Sequence, residues 1–120
     1  MTKSIKIDEA IEDYISNNSY ELHPVQKEII NYNKNLGDIK RMQISITQGY
    51  FMQLLIKINK LKQILEIGTF TGYSALSMAL ANEEVLITCL DKNEKTSQVA
   101  INFFNKAKVE KKINLIVGEA

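Results

Sequence analysis

Residues 64–74 read Ile64-Leu65-Glu66-Ile67-Gly68-Thr69-Phe70-Thr71-Gly72-Tyr73-Ser74, and this stretch decides the fold. A short apolar run, Ile64, Leu65 and Ile67, carries a single acid, Glu66. It breaks into a turn bearing Gly68 and Gly72, and a nearly all-apolar segment, Ala75 to Ala81, follows. Strand, tight turn and helix in this order are how a parallel α/β sheet opens a small-molecule pocket at the carboxyl end of its first strand.

The pattern on either side agrees. The first strand is expected over about Gln63 to Ile67 and its helix over Tyr73 to Asn82. A second strand is expected over Val85 to Leu90, followed by a helix from Glu94 to Lys108. In that helix Val99, Ala100, Phe103, Phe104 and Ala107 share one stripe, and Asn93 is the expected N-cap. Ile113 to Val117 reads as a third strand. Strands alternating with helices imply a parallel sheet with right-handed crossovers. Upstream, the sequence reads as helices. Ile7, Ile11, Tyr14 and Ile15 share one face, and Val25, Ile29, Ile30 and Leu36 share another behind the helix-starting His23-Pro24. Gly37 is expected to end that second helix. A third helix, about Thr47 to Lys60, is expected to bury Tyr50, Phe51, Leu54, Leu55 and Ile58.

At 120 residues the chain has room for one domain. Charge is balanced, 15 Lys and Arg against 14 Asp and Glu, which gives no electrostatic case for nucleic acid or an anionic membrane. The single cysteine, Cys89, lies among Leu86, Ile87 and Leu90 and reads as a buried structural thiol. The polar start fits no secretory signal, and no apolar run approaches the ~20 residues that span a membrane. The sequon Asn17-Asn18-Ser19 is not expected to matter without export, and a cytoplasmic protein is expected. The lone histidine, His23, is expected to have a surface or packing role. A three-stranded parallel sheet needs helices on both faces, and one strand edge would stay open. The chain is therefore expected to be the N-terminal half of a larger enzyme, with a small self-pairing protein as the alternative.

The turn narrows the ligand. A dinucleotide site has G-x-G-x-x-G so that backbone can approach a pyrophosphate. The corresponding positions are Gly68, Phe70 and Tyr73, and the two aromatic side chains would crowd that group. A ligand without phosphate, held by amino, carboxylate and ribose groups, fits better. Glu66 lies beside the turn. Asp91 ends the second strand at about the spacing of an acid that accepts hydrogen bonds from a ribose diol. Ser74, in the first turn of the next helix, could meet a carboxylate or cap the helix. The small residues Gly118 and Ala120 end the third strand, where an adenine ring could lie against backbone.

With LEIGTFTGYSAL, an acid in CLDKN and GEA after the third strand, the chain resembles the S-adenosylmethionine-dependent O-methyltransferases of the caffeoyl-CoA and catechol O-methyltransferase-like group. Met42 to Gly49 resembles that group's M-Q-x-S-P-x-Q-G segment, with Ile46 where proline is common. The resemblance implies a Rossmann-like class I methyltransferase fold: a parallel sheet with an N-terminal helical cap over residues 1–60 and a cofactor-binding βαβαβ half over 61–120. It assigns Ile44 to the wall of the methionine end of the S-adenosyl-L-methionine site, with Glu66, Gly68 and Thr69 lining the cofactor. Ser74 would hold the methionine carboxylate, Asp91 the ribose hydroxyls and Ala120 the adenine, with Met42 and Phe70 as neighbours. It further implies a divalent cation, usually magnesium, whose ligands, like the catalytic lysine, come after the third strand. No residue of this chain is assigned to catalysis or metal. A homodimer acting on a small hydroxyl-bearing, catechol-like acceptor is expected. The competing readings are a non-catalytic cofactor-binding or dimerisation module and a nicotinamide-dependent oxidoreductase, the latter disfavoured by Phe70 and Tyr73.

Overall fold

The computed structural model describes residues 4–19 and 21–120. Three helices precede the sheet. Helix α1 (Glu9–Asn18) starts at Asp8, whose carboxylate accepts the Ile11 N–H at 3.0 Å. Ile7 falls outside it, and the expected apolar face is not a buried one: α1 buries no residue, and Ile11 and Tyr14 are exposed. Helix α2 (Pro24–Lys34) is capped reciprocally. His23 Nδ1 accepts the Val25 N–H, and Gln26 Oε1 accepts the His23 N–H. Proline at the first position loses no hydrogen bond, since that N–H would be unsatisfied anyway. His23 is thus a helix cap. Two residues past the helix cap Asn35, Gly37 takes a φ of +66° and opens a 3₁₀ segment (Gly37–Met42) that buries no side chain.

Helix α3 (Ile46–Asn59) begins at Ser45, whose hydroxyl accepts the Gln48 N–H, and ends at Lys60 in the left-handed region. The expected stripe is on the wrong face. Phe51, Leu54, Leu55 and Ile58 are exposed, while Gly49, Gln53 and Ile56 are buried against helix α4 (Tyr73–Ala79). Close approach selects this face. A Cβ at Gly49 would lie 3.4 Å from both Ser77 Oγ and Tyr73 Cε1, so the small residue sits where the helices meet.

The sheet has the order β1 (Gln63–Ile67), β2 (Leu86–Asp91), β3 (Ile113–Val117), all parallel. α4 joins the first pair and α5 (Glu94–Lys106) the second. Asn93 caps α5 as expected, through the Thr96 N–H. Helix α4 stops sooner than its apolar run, because Asn82 Oδ1 accepts the Glu84 and Val85 N–H groups and turns the chain into β2. Lys112 Nζ donates to the Ala79 and Asn82 carbonyls at that end.

Both crossovers step the same way along the sheet, so right-handedness places α4 and α5 on one face. The register sorts the side chains accordingly. Ile64, Ile87 and Ile113 lie in one row and Glu66, Cys89 and Leu115 in the next, on the covered face. Ile67, Leu90 and Ile116 form a row on the opposite face, where Leu65, Ile67, Leu86 and Ile116 are exposed. A parallel sheet needs helices on both faces, and the two crossover helices and cap expected from the sequence fall short of that. Among the described residues only one face is covered, and β1 pairs on one side alone.

The core under the covered face includes Ile29, Ile56, Leu76, Val85, Ile87 and Phe104. Gly72 controls how closely α5 packs on the start of α4. Its φ is +94°, and an added Cβ would lie 2.7 Å from Phe104 Cε1. Gly72→Ala combines left-handed strain of about 1–2 kcal/mol with overpacking of about 1–3 kcal/mol. It should lower the urea midpoint clearly. Adding Phe104→Leu should restore part of the loss, because it relieves the contact but not the φ.

Candidate functional site

The turn between β1 and α4 is held from the neighbouring strand. Asp91 ends β2, one register step beyond Ile67, and its Oδ2 accepts the N–H groups of Thr69 and Phe70, each at 2.8 Å. Its Oδ1 accepts the Asn93 N–H at 2.8 Å. Strand pairing continues into the turn as Gly68 N–H donates to the Leu90 carbonyl at 2.7 Å. Phe70 is left-handed at φ 53°, a conformation that costs a non-glycine residue and is maintained by these bonds. Burial acts to raise the Asp91 carboxyl. The N–H groups of Asn93, Phe70, Thr69 and Lys92 outweigh it, so the carboxyl sits below the usual aspartate value and stays ionised.

Beside this clip is a hollow of about 460 Å³ at the carboxyl ends of the three strands. Gly68 and Ile67 line it from β1, Leu90 to Lys92 from β2, Gly118 to Ala120 from β3, and Met42 from the 3₁₀ segment. Gly68 has a φ of +88° and nothing within 4 Å of where a Cβ would be, so its backbone faces open space. A ligand could approach the main chain there.

Of the residues singled out from sequence, Gly68, Asp91 and Ala120 line this hollow together. Glu66 and Ser74 lie behind the turn on the helix-covered face, where the Ser74 hydroxyl donates to Glu66 Oε2 at 2.5 Å. Thr69 is buried, with its N–H on Asp91; its hydroxyl bears on Glu66 and Cys89 without hydrogen-bond geometry to either. Ile44 is not on the hollow. It packs against the core and lines a separate cleft with Asn33, Lys34 and Lys40, and Met42 is the residue of that segment on the rim. Asp91 also differs from a carboxylate open to a diol. Three backbone N–H groups hydrogen-bond its two oxygens, and the Lys92 N–H also bears on the carboxylate. Oδ1 is the less engaged oxygen, with one of these three bonds against two on Oδ2.

Burial pushes the Glu66 carboxyl up, against the pull of hydrogen bonds from Ser74 and Cys89 and of the nearby Thr69 hydroxyl. The Cys89 thiol is pushed up to about 12, by burial first and by the Glu66 charge second, so it is a neutral, structural thiol as expected.

Sequence reasoning missed a buried polar layer behind the turn. Thr71 Oγ1 donates to Asn33 Oδ1 at 2.8 Å, and Asn33 Nδ2 donates to Gln43 Oε1 at 2.7 Å. Nearby, Gln26 Nε2 donates to Ser77 Oγ and Gln53 Nε2 to the Ser77 carbonyl. The signal was present in α2, where Gln26 and Asn33 recur at helical spacing within the stripe of Val25, Ile29 and Ile30.

The comparisons with known proteins agree with this architecture. The family model described as O-methyltransferase matches residues 16–120. The caffeoyl-CoA O-methyltransferase of Populus kitakamiensis is 41% identical over 88 residues, 72% of this chain and 37% of that protein. Among solved structures, the O-methyltransferase from Bacillus cereus in complex with SAH superposes with a TM-score of 0.82 at 27% identity, covering 92% of this chain and 50% of that one. The SAH-bound Podospora anserina methyltransferase PaMTH1 gives 0.85 at 25% identity, covering 100% of this chain and 54% of that one. The fold is therefore that of the Rossmann-like methyltransferases, and the chain belongs to the O-methyltransferase family. It spans about half the length of the curated relatives it matches.

The Glu66 environment yields a pH test. A carboxyl raised in the folded state favours folding while it is protonated, and that stability is lost as pH rises through the folded value. Glu66→Gln should therefore raise the denaturation midpoint at pH 7. The gain should shrink as pH falls and vanish below the ordinary glutamate value of 4.5. Urea titrations of both proteins at several pH values measure this.

Proposed function

We propose that this chain is the S-adenosyl-L-methionine-binding half of an O-methyltransferase that methylates a hydroxyl of a small, catechol-like acceptor. The observation that carries the reading is the hollow at the carboxyl ends of three parallel strands, walled by Gly68, Asp91 and Gly118 to Ala120, in a chain of this family. The donor set fits the cofactor. The open backbone at Gly68 admits a close ligand, and Asp91 Oδ1, the less engaged of its two oxygens, is the acceptor for a ribose hydroxyl in a charge-assisted bond. The small residues Gly118 and Ala120 leave room for adenine. The Glu66–Ser74 pair and Thr69 shape the methionine end from behind the turn, and Ile44 supports the same segment from the core.

When bound, the cofactor supplies a methyl group on a sulfonium. The chain's own part is to bind and orient it and to hold the turn rigid through Asp91. SAH in the Bacillus cereus and Podospora anserina structures supports this cofactor class. Residues 61–120 form the cofactor part and 1–60 the helical cap, and the working protein is a cytoplasmic homodimer. No helix among the described residues is long and apolar enough to cross a membrane. Among those residues no group of three or more His, Cys, Asp or Glu is placed to hold a metal ion.

Calorimetric titration with S-adenosylhomocysteine tests the reading. The chain should bind it. Asp91→Ala should weaken binding at least tenfold, about 1.4 kcal/mol, in a protein that circular dichroism shows to be folded. A folded chain that does not bind would overturn the cofactor assignment and favour the non-catalytic module.

A further inference from the structure

We propose that Asn33 is a positioning residue for the cofactor hollow: through Thr71 on one side and Gln43 on the other, it fixes the distance between two walls of that hollow. Its importance for ligand binding rests on the cofactor reading above; the mechanical link does not.

The two walls are far apart in sequence. One is the β1–α4 turn, with Gly68 on the hollow and Phe70 tied to Asp91. The other is the 3₁₀ segment that brings Met42 to the rim. Thr71 follows Phe70 directly and is fully buried, and its hydroxyl donates to Asn33 Oδ1 at 2.8 Å. Gln43 follows Met42 directly, and its Oε1 accepts from Asn33 Nδ2 at 2.7 Å. Asn33 is 2% exposed on the inner face of α2, so its amide presents one acceptor and one donor in opposite directions from a rigid element. Asp91, the turn, Asn33 and Gln43 therefore form one continuous hydrogen-bonded strap, and Asp91 and Met42 at its two ends both line the hollow.

Little else seats the Met42 wall. Gly37–Met42 has no buried side chain, and Met42 itself is exposed. Partly buried Ile44 adds apolar contact two residues further on. A short 3₁₀ turn without burial is a low-stability element. A single bond made in a buried, low-dielectric place can then decide where it sits.

The test uses Thr71→Val, close in shape but without the donor, together with Gln43→Leu and Gln43→Glu. Gln43→Glu keeps an acceptor for Asn33 Nδ2. Amide hydrogen exchange is followed at residues 37–45 and 68–72, with S-adenosylhomocysteine affinity measured well below each melting temperature. Thr71→Val should speed exchange at Gln43 to Ser45 about tenfold, although the change lies in the other wall. Gln43→Leu should do the same to the 68–72 turn. Both should weaken the ligand about tenfold, and Gln43→Glu should behave as the unaltered chain in both measurements. If Thr71→Val fails to fold, the Gln43 pair alone decides. Faster exchange confined to the substituted wall would overturn the proposal, as would unchanged affinity in folded variants of a chain that binds. Absence of ligand binding in the unaltered chain would overturn the cofactor reading alone, because the exchange arm still decides the strap.

Discussion

One carboxylate organises the functional end of this molecule. Asp91 belongs to β2, but two of its hydrogen bonds close the turn that follows β1. Without an acceptor there, the Thr69 and Phe70 N–H groups would point at one another's neighbourhood with nothing to receive them, and a left-handed Phe70 would have no compensation. The turn's shape is thus set from outside by the adjacent strand. That shape starts α4 at Gly72 and leaves the Gly68 main chain facing the hollow. The same oxygens that make the site are therefore already engaged in making the fold, which limits what Asp91 can offer a ligand.

Behind the turn, the second organising layer is made of neutral amides and hydroxyls. Gln26, Asn33, Gln53, Thr71 and Ser77 are all buried, and their bonds join α2, α3 and α4. Apolar packing tolerates sliding, whereas a buried amide left without its partner costs roughly 1–3 kcal/mol. These bonds therefore fix the relative placement of the helices more sharply than the apolar contacts around them.

The βαβαβ half was legible because its signals are local. Ile64 to Ser74 contains its own strand, turn and helix start, and Asn93 announces the next helix. The O-methyltransferase family could be recognised from that segment together with the CLDKN and GEA motifs. The helical cap was less legible. In α3 the larger residues, Phe51, Leu54, Leu55 and Ile58, form a convincing stripe, yet the buried face is the one with Gly49 and Gln53. Hydrophobicity ranks residues by size, while close helix packing favours small ones, and here the two criteria point to different faces. The site was legible to the extent that it depends on strand ends. Gly68, Asp91 and Ala120 converge because all three strands point the same way. Ile44 and Met42 lie on an irregular segment, and no periodicity distinguishes which of them reaches the rim.

The strand order carries a kinetic consequence. Each strand pairs with its immediate predecessor through one intervening helix, so every sheet contact closes a loop of a single helical crossover. The entropy cost of closure grows with loop length, and folding slows as contacting residues become more distant in sequence. A parallel sheet is normally slow to assemble for that reason. These three strands can pair by successive local additions, β2 onto β1 and then β3 onto β2.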